Sequence, residues 1–418
     1  MKRFNGLDTL MSAFGLNNAK SFQAYQDQVL AKIESQNENL EGFVWDLPQI
    51  DFTYEQLETE AQIEVMASYV DLNSPALPAG KSVTLTKLKG TIPRMKYAVV
   101  RGENDYRKQL ITLNEIKAVA NYTNKPESEA INEYLAKTLF DTIAELPAAH
   151  KNSLNYQVGQ MKSKGALTLD DTNNPRGSIR TTFTAQVPTG NFMAKKWWEK
   201  ATEGTVTPVE TADPVAEIRN FIRELRWKPN GYTNVAVEMN EKFAYKFFAH
   251  PAVLKAIGYA LTPGLRYSAK NDENAIATAN FATIDAQKAA FKALVDADVV
   301  IYNQTQCGVE KLNTESKRYE RTLLNAFDED VILVRPAGQI GVIKNVTPLI
   351  PDGTSVVART HGGRGYIEYI YDADTHTQTW RSELTALAVP TRPKDMYYFN
   401  NLTQNASGAS DGSDAPGA

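Results

Sequence analysis

The sequence holds a single cysteine, Cys307, so no disulfide can close within the chain, and a reducing compartment is its natural setting. Histidine is almost as scarce. His150, His250, His361 and His376 stand alone, and no His, Cys or carboxylate group has the spacing of a metal site. No run approaches about 18 apolar residues, so no transmembrane helix is expected. Met1-Lys2-Arg3-Phe4 leads into no long apolar stretch, so no secretory signal is expected either. Neither sign of charge dominates: 45 basic residues face 49 acidic ones, a formal charge of -4. That balance argues against a chain that grips nucleic acid through a basic face, but not against one that encloses it.

What is present is an ordinary globular composition, 42% hydrophobic and 22% charged over 418 residues, enough for two or three compact units. Residues 1–42 read as an arm, with Met11, Phe14, Phe22 and Tyr25 scattered among polar residues and a polar helix over Ser21–Ser35. Phe43, Trp45, Leu47, Ile50, Phe52 and Tyr54 nearly alternate, a strand pattern broken by Pro48. A short helix is expected over Ala61–Val70, then two extended runs, Lys81–Lys89 and Ile92–Arg101, joined at Gly90 as a hairpin. Lys81, Lys87, Lys89, Arg94, Lys96 and Arg101 make this ribbon basic. It reads either as an edge protected by lysines or as a loop reaching over a neighbour. A two-stranded ribbon is marginal alone, so a long one needs something to lie on.

Asn104–Ala120 has a helical apolar face. The next helix starts with Asn124 as cap, Pro126 in the first turn and Glu127 three residues after the cap. Ile131, Tyr134, Leu135, Leu139 and Ile143 continue it, Pro147 should kink or interrupt it, and Gly165 should stop it. A second hairpin, Ala166–Phe183, turns through Asp170–Gly177. Residues 188–212 read as loop, with Trp197 and Trp198 more suited to packing than to stacking on a ligand. Asp213-Pro214 opens a helix with Val215, Ile218, Ile222 and Leu225 inward. Beyond it come a strand at Thr233–Glu238, helices at Asn240–Ala249 and from Pro251, and a helix capped by Thr283. Strands follow at Val299–Tyr302, Val331–Arg335, Gly341–Asn345, Ser355–Arg359, Tyr366–Tyr371 and Glu383–Val389. Elements mix without strict βα alternation, so the expected class is α+β. From about Asn401 the composition is that of a disordered tail.

Three textual motifs fail on context. Ala79-Gly80-Lys81-Ser82 ends like a phosphate-binding loop, but the first glycine would fall at Pro75 and a strand follows where a helix is needed. Gly408-Ala409-Ser410-Asp411-Gly412 spells a hydrolase elbow inside the tail. Gly362-Gly363-Arg364-Gly365 reads as a turn. Asp328-Glu329-Asp330 reads as a solvated turn before a strand. No catalytic, metal or cofactor-binding residue is assigned, and no enzyme is expected.

The order of elements resembles the major capsid (head) protein of tailed bacteriophages, in its lambda-like branch, over roughly Ile50 to Pro393. The residues that carry the resemblance are Gln160-Met161-Lys162-Ser163-Lys164-Gly165 leading to Asn173-Asn174-Pro175-Arg176-Gly177. Asp213-Pro214 through Leu225, Phe247-Phe248-Ala249-His250-Pro251-Ala252-Val253 and Thr385-Ala386-Leu387-Ala388-Val389-Pro390 complete it. The resemblance implies an arm over 1–60, an extended hairpin loop over 75–103 and a peripheral domain over 104–212 and 346–400. Its spine helix would span about 126–164, the axial domain 213–345 and the tail 401–418.

It further implies pentamers and hexamers closing into an icosahedral head around double-stranded DNA, without sequence-specific binding and without a membrane. A separate scaffold protein and a portal are implied partners, assembly would take place in the host bacterial cytoplasm, and the location would be the virion. The hairpin cations Lys81, Lys87, Lys89, Arg94, Lys96 and Arg101 would be intersubunit contacts, making assembly salt-sensitive. Two other readings stay open: an encapsulin-like nanocompartment shell, and a monomeric carbohydrate- or protein-binding module with Trp197 and Trp198 as its platform. On the capsid reading, deleting Val83–Val99 is expected to leave a folded subunit that builds no shells, scored by electron microscopy.

Overall fold

Helix caps and strand alternation in the sequence set most of the boundaries seen. The computed structural model describes residues 40–57, 87–102, 127–200, 206–227, 232–264, 271–302, 306–313, 319–350, 356–372 and 377–400, with isolated positions between 105 and 115 and at 315. The elements run β1 (Phe43–Trp45), β2 (Thr53–Leu57), β3 (Lys87–Thr91), β4 (Arg94–Arg101), α1 (Glu127–Lys164), β5 (Ala166–Leu169), β6 (Thr181–Thr184), β7 (Phe192–Ala194), β8 (Trp198–Lys200) and β9 (Val206–Pro208). They continue with α2 (Pro214–Trp227), β10 (Val235–Asn240), α3 (Glu241–Phe248), α4 (Pro251–Leu261), α5 (Asn271–Asn280), α6 (Ile284–Val295), β11 (Asp298–Tyr302), β12 (Gln306–Leu312) and β13 (Tyr319–Asn325). The last are β14 (Val331–Pro336), β15 (Gly341–Asn345), β16 (Val356–Thr360), β17 (Gly365–Asp372), β18 (Thr377–Pro390) and β19 (Tyr397–Asn400). The class is α+β, as expected.

The chain divides into two units, one drawn from Met1–Tyr54, Lys89–Asn155 and Val342–Ala388, the other from Glu55–Leu88, Tyr156–Gly341 and Val389–Ala418. The second is built on a five-stranded sheet in the order β11-β10-β14-β19-β7. Strand alternation divides its two faces. Val235, Val237 and Met239 of β10, Ile332 and Val334 of β14 and Phe399 of β19 turn toward the helices. There they join Ile218, Ile222 and Leu225 of α2, Phe243 and Phe247 of α3, Ile257 of α4 and Phe291 of α6 in one apolar core. The helices start where the sequence caps them. Asp213 accepts from the Ala216 N–H at 3.0 Å, Asn240 from Lys242 at 2.8 Å, and Thr283 from Ala286 at 3.3 Å. His250 caps α4 in the same way, its Nδ1 accepting from the Ala252 N–H at 3.3 Å.

The first unit is organised by β18. Along one side β18 pairs antiparallel with β17, and along the other with β4, from Arg94↔Thr385 to Arg101↔Gln378. The sheet order is β1-β15-β18-β17-β16, with β4 also on β18. One face carries Tyr97 of β4 and Ser382 of β18 and meets α1. The Tyr97 hydroxyl donates to Glu145 at 2.9 Å, and His150 Nε2 shares a hydrogen bond of 2.8 Å with Ser382 Oγ.

Three expectations are corrected. The basic runs around Gly90 do not pair with each other in their described part. β3 pairs with β2, while β4 joins β18. Gly90 lies inside β3 rather than in a turn, and the link between the strands is Ile92-Pro93, both buried. A two-residue hairpin turn needs residues that tolerate positive φ, which Ile and Pro do not. Secondly, Pro147 does not interrupt α1, which runs through it as one helix of 38 residues. The missing N–H forfeits one helix bond, and burial of Leu146, His150 and Leu154 along that stretch offsets the loss. Gly165 does end the helix, at φ 66, its N–H returning to the Met161 carbonyl at 3.1 Å. Thirdly, residues 188–212 contain β7, β8 and β9 rather than loop alone. The ribbon β12–β13 and the helix α5 were not anticipated. The expected helix at 61–70 and the tail from 401 lie outside the described residues, and most of that at 104–120 does too.

Helix α4 crosses α5 at Gly258, where a Cβ would stand 2.0 Å from the Ala275 carbonyl oxygen. Gly258→Ala should therefore lose about 1–3 kcal/mol despite the roughly 1 kcal/mol helix preference for alanine, read as a lowered thermal midpoint.

Candidate intersubunit surface and buried charge network

The basic residues named from sequence fall into distinct places. On the face of β18 away from α1, Glu383 receives both Arg94 Nε at 3.1 Å and Lys96 Nζ at 3.2 Å. Arg94 also lies 5.2 Å over the Phe52 ring. Glu383 is nearly buried while each cation is about half exposed, so the carboxylate is clamped and the cations keep water on one side. These two residues are thus committed within their own chain. Arg101 is half-buried at the end of β4 and is engaged in its own contacts. Lys87 and Lys89 lie on β3, and Lys81 is outside the described residues.

Two ribbons of the second unit offer side chains to solvent instead. β5–β6 is the expected hairpin, registered Ala166↔Thr184 to Leu169↔Thr181. Its loop is self-tied. Asp170 Oδ1 accepts the N–H groups of Thr172 and Asn173 at 2.8 and 3.1 Å, and those bonds hold its carboxyl below the usual carboxylate range. Asn173 Nδ2 donates to the Thr168 carbonyl at 2.7 Å. From this loop Arg176 reaches the second ribbon, β12–β13, meeting Glu310 at 2.9 Å and lying 4.7 Å over the Tyr319 ring. Arg321 meets the other oxygen of Glu310 at 3.2 Å. One carboxylate between two arginines therefore ties loop to ribbon. The same ribbon face exposes Leu312, Tyr319 and Leu323, set by the pairings Leu312↔Tyr319 and Gly308↔Leu323.

The buried face of the five-stranded sheet holds a constellation that sequence reasoning missed. Glu238 of β10 is fully buried and points away from the apolar core. Lys162, from the last turn of α1, brings its Nζ to 3.2 Å from Oε2, and Arg335 of β14 brings Nε to 2.6 Å from Oε1. The Tyr302 hydroxyl of β11 donates to Oε2 at 2.9 Å and accepts from Lys162 at 2.5 Å. Arg335 also donates to the carbonyls of Pro336 and Gly338 at 2.8 and 3.0 Å. Burial pushes the Glu238 carboxyl up, but the charges of Lys162 and Arg335 and the bonds from Arg335 and Tyr302 outweigh it and hold the group ionised. The only advance signals were polar residues within otherwise apolar strands, Val235–Asn240 and Val331–Pro336.

The tryptophan pair is not a platform. Trp197 is 1% exposed and Trp198 9%, packed among Phe243, Phe247, Phe399 and His250. That overturns the ligand-stacking alternative. Asp328, Glu329 and Asp330 are faced by Lys164, Lys242 and Lys246 respectively. Among the described residues no group of three or more His, Cys, Asp or Glu could hold a metal ion, and no helix is long and apolar enough to cross a membrane. Cys307 is buried, which pushes its thiol up to about 11.

No protein-family model matches the sequence, and no curated protein matches it. Among solved structures, the chain is similar to the procapsid of satellite phage P4 with its size determination protein, at 9% identity and a TM-score of 0.41, over 90% of this chain and 98% of that one. It is similar to the capsid of Myoviridae phage XM1 at 12% identity and a TM-score of 0.39, over 87% and 91%. It is also similar to a virus-like particle from Pyrococcus furiosus at 8% identity and a TM-score of 0.36, over 90% and 98%. At such identities and TM-scores these likenesses do not define a family for the chain.

Glu238→Gln should cost about 3–5 kcal/mol, because it leaves two buried cations around a neutral amide. Lys162→Met should cost less, because Glu238 keeps Arg335. Denaturant unfolding of both variants checks the order.

Proposed function

We propose that this chain is the major capsid protein of a tailed bacteriophage, a structural subunit that builds the head from pentamers and hexamers. The observation that carries the reading is where the resembling stretches fall. Gln160–Gly165 ends the long helix α1, and Asn173–Gly177 is the self-tied loop of β5–β6. Asp213–Leu225 is the capped helix α2. Phe247–Val253 is the junction of α3 and α4, and Thr385–Pro390 ends β18, the strand around which the first unit is organised. A subunit of this kind needs strands held in fixed register and side chains left outside to meet a copy of itself. Heterologous contacts that close into rings suit it.

The division into arm, hairpin loop, peripheral domain with α1 as spine, and axial domain over 213–345 belongs to the same proposal. So do a separate scaffold protein, a portal, enclosed double-stranded DNA, assembly in the host bacterial cytoplasm and the absence of enzymatic activity. Within it, Arg94 and Lys96 are set aside because Glu383 holds them, and Arg101 because it ends β4 in contacts of its own, which leaves Lys81, Lys87 and Lys89 as the proposed contact cations.

Deleting Val83–Val99 is no longer a clean test, since it removes most of β4 from the sheet. The replacement is the triple variant Lys81→Glu, Lys87→Glu, Lys89→Glu. It should keep the thermal midpoint of the isolated subunit and form no particles in negative-stain images where the unmodified protein does. Normal particles from the variant would remove the contact role, and absence of particles from the unmodified protein with its scaffold would remove the capsid reading.

A further inference from the structure

The first described strand is tied down by a row of rings and by an ion pair. Trp45 of β1 lies 6.1 Å from the His361 ring, and His361 lies 6.3 Å from His150, edge to face. The Arg364 guanidinium lies 4.9 Å over the Trp45 ring and donates to the His361 carbonyl at 3.2 Å. His361 sits at φ 50, followed by Gly362 at 63 and Gly363 at 87. A left-handed histidine of this kind persists only where its surroundings enforce it. The neighbouring Asp46 takes Lys344 Nζ at 2.5 Å and the Leu47 N–H at 2.8 Å. Its own N–H donates to the Ile343 carbonyl at 3.0 Å, and its carbonyl accepts from Asn345 Nδ2 at 2.8 Å. Beyond it Leu47 is 85% and Ile50 81% exposed, so the segment has little apolar anchorage after Trp45.

We propose that Phe43–Gln49 is an acid-releasable latch of the first unit, held at neutral pH by the row His150–His361–Trp45 and by Asp46–Lys344, and let go as the pH falls while the second unit stays folded. Burial, and then the nearby His361, hold His150 down at about 3, well below the usual 6.5. Trp45 reaches His150 only through His361, so the open state is one in which the His361 turn is freed with the strand; His150 is then uncovered and must charge, and that state gains from every pH step below about 6.5, the gain being complete near 3. For Asp46 burial works upward, but the Lys344 bond, the Leu47 N–H and the Lys344 charge outweigh it and keep the carboxyl below its usual range. Its hold is present above 3.8 and is lost below that, a second step in the same direction.

Among the described residues, Glu41 beside the segment and most charged groups on the surrounding elements have contacts of their own. On α1, Glu145 is bonded to Tyr97 and Lys151 is engaged in its own contacts. Arg101 ends β4, and Lys344 of β15 is on Asp46. Arg381 and Glu383 of β18 point to the opposite face, on Glu368 and on Arg94 and Lys96. Arg359 of β16 shares that opposite face through its pairing with Tyr366.

Hydrogen exchange of the intact chain, followed by mass spectrometry at pH 7 and pH 5 and corrected for intrinsic rates, tests the latch. Amides of 43–49 should lose about tenfold or more of their protection at pH 5, while those of α2 and α6 keep theirs. His150→Phe should shrink the loss to less than about threefold, since it removes the titrating group. His361→Gly, which keeps the left-handed turn, should leave 43–49 poorly protected at both pH values. Unchanged protection at pH 5, an equal loss in α2 and α6, or an undiminished loss in His150→Phe would each overturn the proposal. If His150→Phe does not fold, a fully protected 43–49 segment in His361→Gly does so as well.

Discussion

Glu238 is a buried carboxylate that three other elements must reach. Lys162 comes from the end of α1, Tyr302 from β11 and Arg335 from β14, and none can shift without stranding charge away from water. Such networks add little net stability over an apolar core, because desolvating the ions costs about as much as their attraction returns. What they supply is uniqueness of arrangement. A one-residue slip of β10 would turn Glu238 into the apolar layer of Val237 and Met239 and bring those residues to Lys162 and Arg335. The register of the sheet, and the seat of the last turn of α1 on it, follow from that one group. Glu383 plays a milder version in the first unit, drawing Arg94 and Lys96 of β4 onto β18 at the edge of solvent, where ion pairs are weak.

This division of charge bears on how copies of the chain would meet. A basic strand bound to its own sheet has spent its cations, and steering by that strand is reduced. Rigidity at the Arg176–Glu310–Arg321 junction matters for the same reason, because a ribbon fixed in place loses little entropy when something covers it.

Much of the fold was legible. Caps at Asp213 and Thr283, the helix starts near Asn240 and Pro251, the stop at Gly165 and the turn chemistry of Asp170–Gly177 act locally, and local rules read them correctly. Strand partners were not legible. The choice of β18 over β3 by β4 depends on residues nearly 300 positions away, and alternation alone does not name a partner. Pro147 misled because its local cost is offset by burial that only the tertiary structure supplies. The charge network was invisible for a related reason: Lys162, Glu238, Tyr302 and Arg335 are ordinary residues until the sheet brings them together. The ring row Trp45–His361–His150 and the His150–Ser382 bond join residues from 45 to 382 and were hidden in the same way.

The central claim is that this chain is a self-assembling shell subunit. Sedimentation velocity across a concentration series, at low and high salt and with the scaffold protein added, tests it most directly. The account predicts a slow subunit that gives way to very large closed particles as concentration rises, with the transition weakened by salt. A single monomer boundary under every condition would contradict it.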